Sequence, residues 1–575
     1  MRKFISDEIA TYISKLGVDC IYIYPGGNIA PLVNSFDAIG ITIEVFKHEQ
    51  GAVYAAMARA RLTGNLQVAM VSSGPGVTNA ITPLADAFYD STPLLLITGQ
   101  IGTADLFSGR KVRQRGFQET PTLSIVSEIS KLALLPKHVE DVLPMLNTLV
   151  LCALEGRRGP VVFDLPMDIQ RSPTSSTIGQ SLTTPRINPK PLLNLIDVNN
   201  AAKAFLQAKR PVVMLGHGAL TDGLFSSYSI LCNKFESLCV CSLLGLGSFD
   251  GRDQRFLGYI GHTGHEVANV AVHEADFVLV LGARLDLRQT GSVVNKFVPN
   301  GKIAWVNNDE TELLAPRVRV DWSILSDVRT FLDAFITYID SKTFTRDKAW
   351  ISHKVEWRQK KSEDNYHTDN SQNIFPKEIL ELLDGHMQQG KGVVVTGVGS
   401  HQQWAARHLT YSPTGWKFIT SGGHGAMGYD LPTSIGAAMF LPKDHIVLCV
   451  VGDGSFLMNI QELASLAERK LNVKILLMNN HRLGIVSQFQ LITWGNDAGT
   501  GQFVSPDFVT IAQGFGLSAK RVVSRNEMCD AVTWLWSSDG PTLLEVQIDH
   551  DADVVPMLLG GQIMSEMWQG SQNEH

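Results

Sequence analysis

Asp453 and Asn480 are the residues whose types and spacing first suggest chemistry. Asp453 stands in a Gly-Asp-Gly turn after the apolar run 446–451, and Asn480 follows a second apolar run, 473–478. We predict that both runs are strands of a parallel α/β sheet, in which the carboxyl ends of neighbouring strands face one crevice. Asn480 follows Asp453 by 27 positions, about the length of one βαβ unit. The two side chains should therefore meet.

The residues around this pair favour a metal that also carries a diphosphate. A carboxylate, a side-chain carbonyl and a backbone carbonyl suit a hard cation such as Mg²⁺. Gly452 and Gly454 let the chain approach phosphate oxygens, and a helix predicted to begin near Met458 offers unpaired N–H groups. Gly-Asp-Gly could also be an ordinary turn. The amides Asn479 and Asn480 after the second strand favour the diphosphate site.

A Gly-Asp-Gly turn followed at this distance by Asn-Asn resembles the signature of thiamine-diphosphate enzymes. The segments GDGSFLMNIQEL and NNHRLGIVSQF are similar to the acetohydroxyacid (acetolactate) synthase group, and the resemblance covers about residues 5 to 555. It implies Mg²⁺ held by the side chains of Asp453 and Asn480 and by the backbone carbonyl of Arg482. The thiamine diphosphate site that it implies comprises Gly26, Gly27, Gly74, Asn79, Gly425, Met427, Gly452, Gly454, Ser455 and Ile485.

The segment KHEQGAVYAA at 47–56 resembles the part of the family that carries the catalytic glutamate. In that family a buried Glu hydrogen-bonds N1′ of the aminopyrimidine and promotes loss of the thiazolium C2 proton, and the resemblance implies Glu49 for this role. Read alone, Glu49 could also serve the N-terminal dipole of a helix. The resemblance further implies that Glu49 acts on a cofactor held by Asp453 of a second subunit, so a dimer would be the minimal active unit.

Further catalytic and substrate positions are implied by the same resemblance. Met427 would hold the cofactor in its bent conformation. Phe117, Gln118 and Lys131 would lie near the substrate mouth, with Gln118 donating a hydrogen bond to the bound reactant.

The segment GARLDLR at 282–288 resembles the FAD-binding segment of acetohydroxyacid synthases, as does the stretch around Gly261. The resemblance implies a structural FAD held by Gly261, Gly282 and Arg284, because carboligation needs no redox step. Arg288 would meet the carboxylate of the 2-keto acid. The alternative is that these arginines lie on the surface of a domain without flavin.

The reaction that the resemblance implies is decarboxylation of pyruvate and transfer of the two-carbon unit to a second carbonyl. Two positions on the acceptor side depart from the biosynthetic enzymes: Phe489 stands where they carry Trp, and Asn28 where they carry Ala. The acceptor therefore stays open. It is a second keto acid, a nucleotide-linked keto sugar, or none in a simple 2-keto acid decarboxylase.

A loop between Gln100 and Phe117 is longer than in those enzymes, and its basic residues are Arg110, Lys111, Arg113 and Arg115. It is either a solvated charged loop or a contact for a phosphorylated acceptor. The loop resembles acetolactate synthase-like proteins of surface-polysaccharide pathways, including the flavoenzyme of yersiniose synthesis, which extend a nucleotide-linked keto sugar.

Composition agrees with a soluble enzyme of several domains. The chain has 575 residues, of which 44 % are hydrophobic and 18 % charged, and a formal charge of −7 without a basic run. These values argue against a nucleic-acid partner, and the lack of a long apolar run argues against a membrane span. Seven cysteines without a Cys-x-x-Cys pair predict a reducing, cytoplasmic location.

The elements that must position these residues predict an α/β fold of three tandem open parallel-sheet domains of the thiamine-diphosphate enzyme type. The predicted ranges are a pyrimidine-binding domain 1–170, a linker 171–191, a central FAD-type domain 192–342, a linker 343–371, a diphosphate-binding domain 372–555 and a tail 556–575. Apolar runs before turns predict, among others, the strands Thr42–Val45, Gln67–Val71, Pro211–Leu215 and Phe277–Leu281. We expect a homodimer or homotetramer; a regulatory subunit stays an open question.

Overall fold

Three parallel six-stranded sheets follow one another along the chain in the computed structural model. The structure describes residues 3–174, 192–220, 223–363, 373–388 and 390–570. The predicted α/β class with three open parallel sheets is confirmed. Parts of both predicted linkers and of the tail lie outside the described residues, and the domain boundaries stay predictions.

The first sheet has the strand order β2-β1-β3-β4-β6-β5. Its strands are β1 (Cys20–Ile23), β2 (Thr42–Val45), β3 (Gln67–Val71), β4 (Leu94–Gln100), β5 (Leu132–Leu134) and β6 (Pro160–Pro166). Its helices are α1 (Ile5–Lys15), α2 (Ala30–Ala38), α3 (Glu49–Thr63), α4 (Pro75–Asn79), α5 (Ile81–Tyr89), α6 (Thr103–Leu106), α7 (Thr122–Val126), α8 (Val142–Leu154) and α9 (Met167–Gln170). The central strands β3 and β4 are buried along their whole length, as parallel strands covered on both faces require.

The second sheet has the order β12-β11-β10-β7-β8-β9. Its strands are β7 (Pro211–Leu215), β8 (Leu238–Cys241), β9 (Phe256–Tyr259), β10 (Phe277–Leu281), β11 (Lys302–Asn307) and β12 (Trp322–Leu325). Its helices are α10 (Leu195–Gln207), α11 (Phe225–Ser229), α12 (Glu266–Glu274), α13 (Leu287–Thr290), α14 (Glu310–Leu314), α15 (Val328–Ile339) and α16 (Lys348–Glu363).

The third sheet has the order β14-β13-β15-β16-β18-β17. Its strands are β13 (Gly392–Thr396), β14 (Trp416–Thr420), β15 (Ile446–Gly452), β16 (Val473–Asn479), β17 (Ser518–Val522) and β18 (Thr542–Gln547). Its helices are α17 (Pro376–Met387), α18 (Ser400–His408), α19 (Asp430–Phe440), α20 (Asp453–Leu457), α21 (Leu463–Arg469), α22 (Gly484–Trp494), α23 (Phe508–Gly514) and α24 (Met528–Ser537).

The prediction of a helix beginning near Met458 is wrong. Helix α20 begins at Asp453 itself, and its carboxylate Oδ1 accepts from the N–H of Gly454 at 3.0 Å. Asp453 and Gly454 are thus already part of the first helical turn, directly after Gly452, the last residue of β15. This helix ends at Leu457, and α21 begins after a short 3-10 turn.

The first and third sheet units pack through helices α3 and α19. Small side chains allow this close approach: Gly436 lies directly on the backbone of Ala55, and the stretch of α3 from 52 to 58 is fully buried. A polar contact adds to this interface, because Arg61 donates to the carbonyl of Thr420 at 2.6 Å. The interface brings the beginning of the chain against its last third.

The segment after the third sheet returns to the central unit. Met564 and Met567 are buried in the core beside β10, and the N–H of Leu558 donates to the carbonyl of His262 at 2.7 Å. None of the helices in the described ranges has the length and apolar character that crossing a bilayer requires. Of the cysteines, which are all free thiols, Cys529 is exposed and Cys152 half-buried, and the others are buried.

Candidate active site at two sheet edges

Asp453 and Asn480 lie at the carboxyl ends of neighbouring strands, because β15 pairs in parallel with β16. Both are buried, with 2 % and 6 % of their surface exposed. The hydroxyl of Ser505 links the two strand ends, at 2.9 Å from Asp453 Oδ2 and 3.2 Å from Asn479 Oδ1. This edge therefore gathers the carboxylate and amide oxygens that a hard divalent cation prefers.

Asp453 carries an electrostatic cost that a cation would offset. Burial raises the pKa of its carboxyl, and the hydrogen bonds from Ser505 and Gly454 oppose that shift. Asn480 is oriented through its backbone and side chain: its Oδ1 accepts from the N–H of Arg482 at 3.3 Å, and its carbonyl lies 2.8 Å from His550 Nδ1. A divalent ion bound here would pair with an otherwise uncompensated buried charge.

A cradle of glycines lies beside Asp453. A Cβ on Gly452 would lie 2.9 Å from His401 Nδ1, and one on Gly484 would lie 2.8 Å from Ser400 Oγ. Ser400 Oγ and His401 Nε2 are buried and have no hydrogen-bond partner in the described part of the chain. Burial lowers the pKa of His401 to about 3, so its imidazole is neutral. These unpaired polar atoms lie at the start of α18, next to the sheet edge that carries Asp453 and Asn480, and they fit a diphosphate.

Ser400 and His401 were missed by sequence reasoning, although their signal was present. The β-branched run 393–396 is followed by Gly397 and Gly399. The same pattern, an apolar strand before a glycine turn, marked Gly452. A search for this pattern in every predicted strand would have found the two residues.

The loop between β14 and α19 carries Gly425 and Met427. Gly425 has φ +81°, a backbone conformation that favours glycine. The methyl group of Met427 would lie 3.4 Å from a Cβ on Gly454, so this side chain lies over the start of α20. The first unit fixes the loop, since Ser421 Oγ donates to Asp86 Oδ1 at 2.8 Å and accepts from the N–H of Gly425 at 3.0 Å.

Ser455, Ile485 and Arg482 complete the group from the third unit. Ser455 Oγ donates to Asp430 Oδ2 at 2.5 Å, and burial raises the pKa of Asp430 to about 6. Ile485 lies in the first turn of α22. The guanidinium of Arg482 is buried, with Nη1 3.3 Å from Asp553 Oδ1. All three follow strands β15 and β16 at the edge that carries Asp453.

Glu49 lies at the corresponding edge of the first sheet. It is the first residue of α3, is 7 % exposed, and its Oε2 accepts from Asn79 Nδ2 at 2.9 Å. His48 caps the helix by accepting from the N–H of Gln50 at 3.1 Å. The sequence suggested two alternatives for Glu49, a residue at a helix N-terminus or a buried catalytic carboxylate. In the structure Glu49 is both at a helix N-terminus and buried. A desolvated carboxylate held by one amide can share a proton with a ring nitrogen.

Gly26, Gly27 and Gly74 follow β1 and β3, so they share this edge with Glu49. Gly74 has φ +63°, and a Cβ on it would lie 2.9 Å from Gln118 Cβ. Gln118 itself has φ +63°, which is uncommon for a residue with a side chain. The predicted glycines and Gln118 are therefore brought together.

Asn28, Phe117 and Lys131 differ in their placement. Asn28 Nδ2 donates to Ser73 Oγ at the same edge. Phe117, which directly precedes Gln118 in the sequence, is 86 % exposed. Lys131 precedes β5, at the amino end of the strands, and its ammonium donates to the carbonyls of residues 155 and 157 at 2.7 Å. The structure does not place Lys131 at the edge of Glu49, and its catalytic role stays a prediction.

The central sheet presents a glycine-lined edge. Gly282 has φ +63°, and a Cβ on it would lie 2.7 Å from the Cα of Gly218. Gly261 lies against the backbone carbonyl of Arg288. These glycines let the loops pack closely at the carboxyl ends of the strands, which is the edge where doubly wound sheets bind nucleotides.

The polar side chains of this edge are only partly engaged. Arg284 Nε donates to Glu312 Oε1 at 2.9 Å, whereas the side chain of Arg288 is exposed. His217, two residues after β7, is half-buried, and its buried Nδ1 has no hydrogen-bond partner in the described part of the chain. Burial lowers the pKa of His217 to about 4, so it is neutral. The glycine edge with an unpaired Nδ1 fits a flavin nucleotide.

Two of the four basic residues in the loop between Gln100 and Phe117 form ion pairs with neighbouring acids. Arg110 pairs with Asp105 at 3.0 Å, and Arg115 pairs with Glu119 through two nitrogens. Lys111 and Arg113 are exposed and make no ion pair with another described residue. Two of the four cations are therefore available to a ligand.

Phe489 lies on α22 and is 53 % exposed. Its ring packs edge-on against Trp494, with centroids 5.5 Å apart. The aromatic pair lies on the helix that begins beside Asn480.

Comparison with known proteins agrees with this geometry. Three family models of thiamine pyrophosphate enzymes match in order: the N-terminal TPP binding domain at 5–125, the central domain at 198–335 and the C-terminal TPP binding domain at 397–546. The acetolactate synthase large subunit of Lactococcus lactis subsp. lactis is 33 % identical, with 98 % of this chain and 95 % of that protein covered. The acetolactate synthase isozyme 3 large subunit of Escherichia coli is 32 % identical, with 96 % of each covered. The chloroplastic acetolactate synthase 1 of Zea mays is 32 % identical, with 98 % and 88 % covered.

The family predicted from the Gly-Asp-Gly and Asn-Asn signature is thus confirmed, while the polysaccharide branch stays a prediction. The two thiamine-binding models cover the sheet edges that carry Glu49 and Asp453. From this agreement, the chain belongs to the thiamine pyrophosphate (thiamine diphosphate) enzyme family and is related over nearly its whole length to the acetolactate synthases.

Proposed function

We propose that the protein is a carboligase that decarboxylates pyruvate and transfers the two-carbon unit to a second carbonyl. The observation that carries the proposal is one chain with a buried Glu49 carboxylate at one sheet edge and an Asp453–Asn480 edge at another. Beside the latter edge, Ser400 Oγ and His401 Nε2 are buried without a hydrogen-bond partner among the described residues. Thiamine diphosphate, when bound, supplies a nucleophilic carbon and an electron sink for decarboxylation.

Each group has a distinct task in this proposal. Asp453, Asn480 and the carbonyl of Arg482 hold Mg²⁺, and Ser400 and His401 donate to the diphosphate. Glu49 exchanges a proton with the pyrimidine ring, and Asn79 keeps its carboxylate in place. Met427, Ser455 and Ile485 line the space between the two edges. Water is excluded by the buried walls, which favours attack on a carbonyl over protonation.

We also propose that FAD binds at the central edge as a structural cofactor. Gly218, Gly261 and Gly282 let the loops at this edge pack closely on one another, and Arg284 supplies a cation that now pairs with Glu312. The unpaired Nδ1 of His217 supports this assignment. Arg288, which is exposed at the same edge, is proposed to meet the substrate carboxylate.

A second candidate acceptor is a nucleotide-linked keto sugar. The observation that favours it is the pair Lys111 and Arg113, which project from the basic loop without an ion-pair partner among the described residues. Asn28 and Phe489 offer a polar group and an open aromatic face to a sugar. Pyruvate would be the donor in both reactions.

Product analysis separates the candidates. The protein is incubated with pyruvate, thiamine diphosphate, Mg²⁺ and FAD, with and without a panel of nucleotide-linked keto sugars, and products are identified by mass spectrometry. Rapid acetolactate from pyruvate alone supports the synthase reaction, and rapid two-carbon extension of a sugar supports the second candidate. Acetaldehyde as the sole product would select simple decarboxylation, and no release of CO₂ would refute all three.

A further inference from the structure

One segment of the third unit holds the loop that carries Glu49 within the same chain. We call residues 459–469 the holding segment and residues 44–51 the Glu49 loop. Glu462 Oε1 accepts from the backbone N–H of Lys47 at 3.0 Å, and Arg469 pairs with Glu44 at 2.8 Å. Arg469 also donates to the carbonyl of Val45 at 2.8 Å. The two segments are more than 400 residues apart in the chain, so this contact joins two domains.

Glu462 is the buried centre of this contact. It has no exposed surface, and its second oxygen accepts from Ser465 Oγ at 2.6 Å. Gly51 packs so closely that a Cβ on it would overlap Oε1. A buried carboxylate without a bound cation costs free energy, so stability alone does not explain an ionisable residue here. What it does supply is a fixed acceptor for the backbone two residues before Glu49.

The other acid of the holding segment acts differently. Glu468 pairs with Lys47 Nζ at 3.0 Å, but the two side chains are 62 % and 36 % exposed. Exposed pairs of this kind contribute little. The segment therefore contains a buried acid that touches the backbone of the loop and an exposed acid that touches a side chain of the same residue.

We propose that Glu462 is the positioning residue for Glu49. By fixing the N–H of Lys47, it sets where α3 begins and thus where the Glu49 carboxylate lies against Asn79. This inference rests on the proposed role of Glu49 toward the pyrimidine ring. A misplacement of about 1 Å at a reacting group can cost about 100-fold in rate, so a small shift of the loop would be felt.

The holding segment follows directly on α20, which begins with Asp453. The same stretch of chain that presents the metal edge thus also fixes the Glu49 loop. In the proposed dimer, the metal edge and the Glu49 loop of one chain belong to two different cofactor sites, so this stretch of chain would connect one site with the other.

The test measures exchange of the thiazolium C2 proton of bound thiamine diphosphate with deuterium, by acid quench and NMR on the full-length protein with Mg²⁺. We expect Glu462→Ala and Glu462→Asp to slow exchange by about tenfold or more, because the loop loses its acceptor. Glu462→Gln keeps the oxygen that faces Lys47 and should stay within about threefold of wild type. Affinity for thiamine diphosphate, measured by calorimetry, should change little in all three.

Glu468→Ala is the matched control and should leave exchange unchanged. Gly51→Ala reaches the same contact from the loop side, so it should slow exchange even where a Glu462 variant does not fold. The inference would be overturned if exchange were as fast as in wild type in all three of Glu462→Ala, Glu462→Asp and Gly51→Ala. It would also be overturned if Glu468→Ala slowed exchange as much as these variants do. Glu49→Gln distinguishes failure of the proposed function from failure of the positioning role. If Glu49→Gln leaves exchange unchanged, the proposed role of Glu49 fails. If Glu49→Gln slows exchange but the Glu462 variants exchange normally, only the positioning role of Glu462 fails.

Discussion

At the scale of single residues, each reactive side chain is buried and oriented by a neighbour that has no chemistry of its own. Asn79 holds Glu49, and Ser505 holds Asp453. Such partners restrict the orientation of a ligand or base before any substrate arrives. Their loss should therefore weaken function without removing a reacting atom.

The metal edge gives a prediction at this scale. Asp453→Ala should weaken binding of thiamine diphosphate in the presence of Mg²⁺ by at least about 100-fold, because a charged ligand is lost. Ser505→Ala should weaken it by about tenfold, as expected for a group that orients a ligand. Isothermal titration calorimetry with and without Mg²⁺ measures both. Ser518→Ala, an exposed serine at the start of β17, should bind as wild type, and normal binding by Asp453→Ala would contradict the assignment.

At the scale of elements, helices of one unit hold loops of another. Asp86 of helix α5 accepts from Ser421, and Asp90, directly after the helix, accepts from the N–H groups of Gly422 and Gly423, which lie in the loop before Met427. The two carboxylates thus complete a loop in the third unit. The holding segment does the same in the opposite direction for Glu49.

Asp86 makes this contact dependent on pH. Burial, together with repulsion from Asp90, raises its pKa to about 8, with Arg61 and Ser421 opposing the shift. An unfolded Asp titrates near 4, so the folded state holds the proton between about pH 4 and 8 while the unfolded chain does not. The neutral acid therefore contributes fully to the free energy of unfolding below pH 4. This contribution is lost as pH rises through 8, with a slope of at most about 1.4 kcal/mol per pH unit.

Asp86→Asn cannot ionise and keeps an acceptor for Ser421. We therefore expect a higher thermal midpoint than wild type at pH 8 to 9 and a much smaller difference near pH 5, measured by calorimetry over this range. Asp37→Asn, at an exposed position of α2, serves as the control and should show no such dependence. A constant difference between Asp86→Asn and wild type at all pH values would contradict the raised pKa.

The packing of α3 on α19 gives a second prediction for elements. Gly436→Ala would drive a methyl group into the backbone of Ala55, and overpacking of this kind costs about 1–3 kcal/mol. Gly385, inside α17, has open space around its Cα, so Gly385→Ala should stabilise by about 0.5–1 kcal/mol. Thermal midpoints should move in opposite directions, and equal shifts would show that the α3 contact is not close-packed.

Strands and their glycine turns could be predicted from the sequence because their signals are local. Thr42–Val45, Gln67–Val71, Pro211–Leu215 and Phe277–Leu281 have the predicted bounds. The start of α20 could not be predicted, because Gly-Asp-Gly reads as a turn until Asp453 is seen to bond to its own first turn. The contact between Glu462 and Lys47 spans 415 positions, and no pattern along the chain marks it.

At the scale of the whole molecule, large apolar side chains are exposed around the proposed site. Phe117 is 86 % exposed, Val504 93 % and Trp494 63 %. Exposed apolar groups at a reactive edge are typical of surfaces that meet a second subunit. They support the proposed homodimer or homotetramer.

Mixing two inactive variants tests whether each site spans two subunits. Glu49→Gln and Asp453→Ala are each expected to be inactive, but a mixed dimer would contain one site with both residues intact. Random exchange of subunits should then restore about a quarter of wild-type turnover, because half of the dimers are mixed and each has one good site. Turnover is measured as CO₂ release after co-refolding. No recovery in a mixture shown to contain mixed dimers would place Glu49 and Asp453 of one chain in the same site.

The packing of α3 on α19 also has a consequence for how the protein is made. Residues 52–58 of α3 are fully buried in the finished molecule, yet α19 is translated far later than Thr63. At usual rates of synthesis, the stretch from Thr63 to Phe440 takes on the order of 20 to 80 s. During that time the first unit leaves the ribosome with this helix face uncovered. The nascent chain therefore exposes this apolar helix face until the last third of the protein has been made and covers it. A chaperone or a neighbouring nascent chain would bind there first.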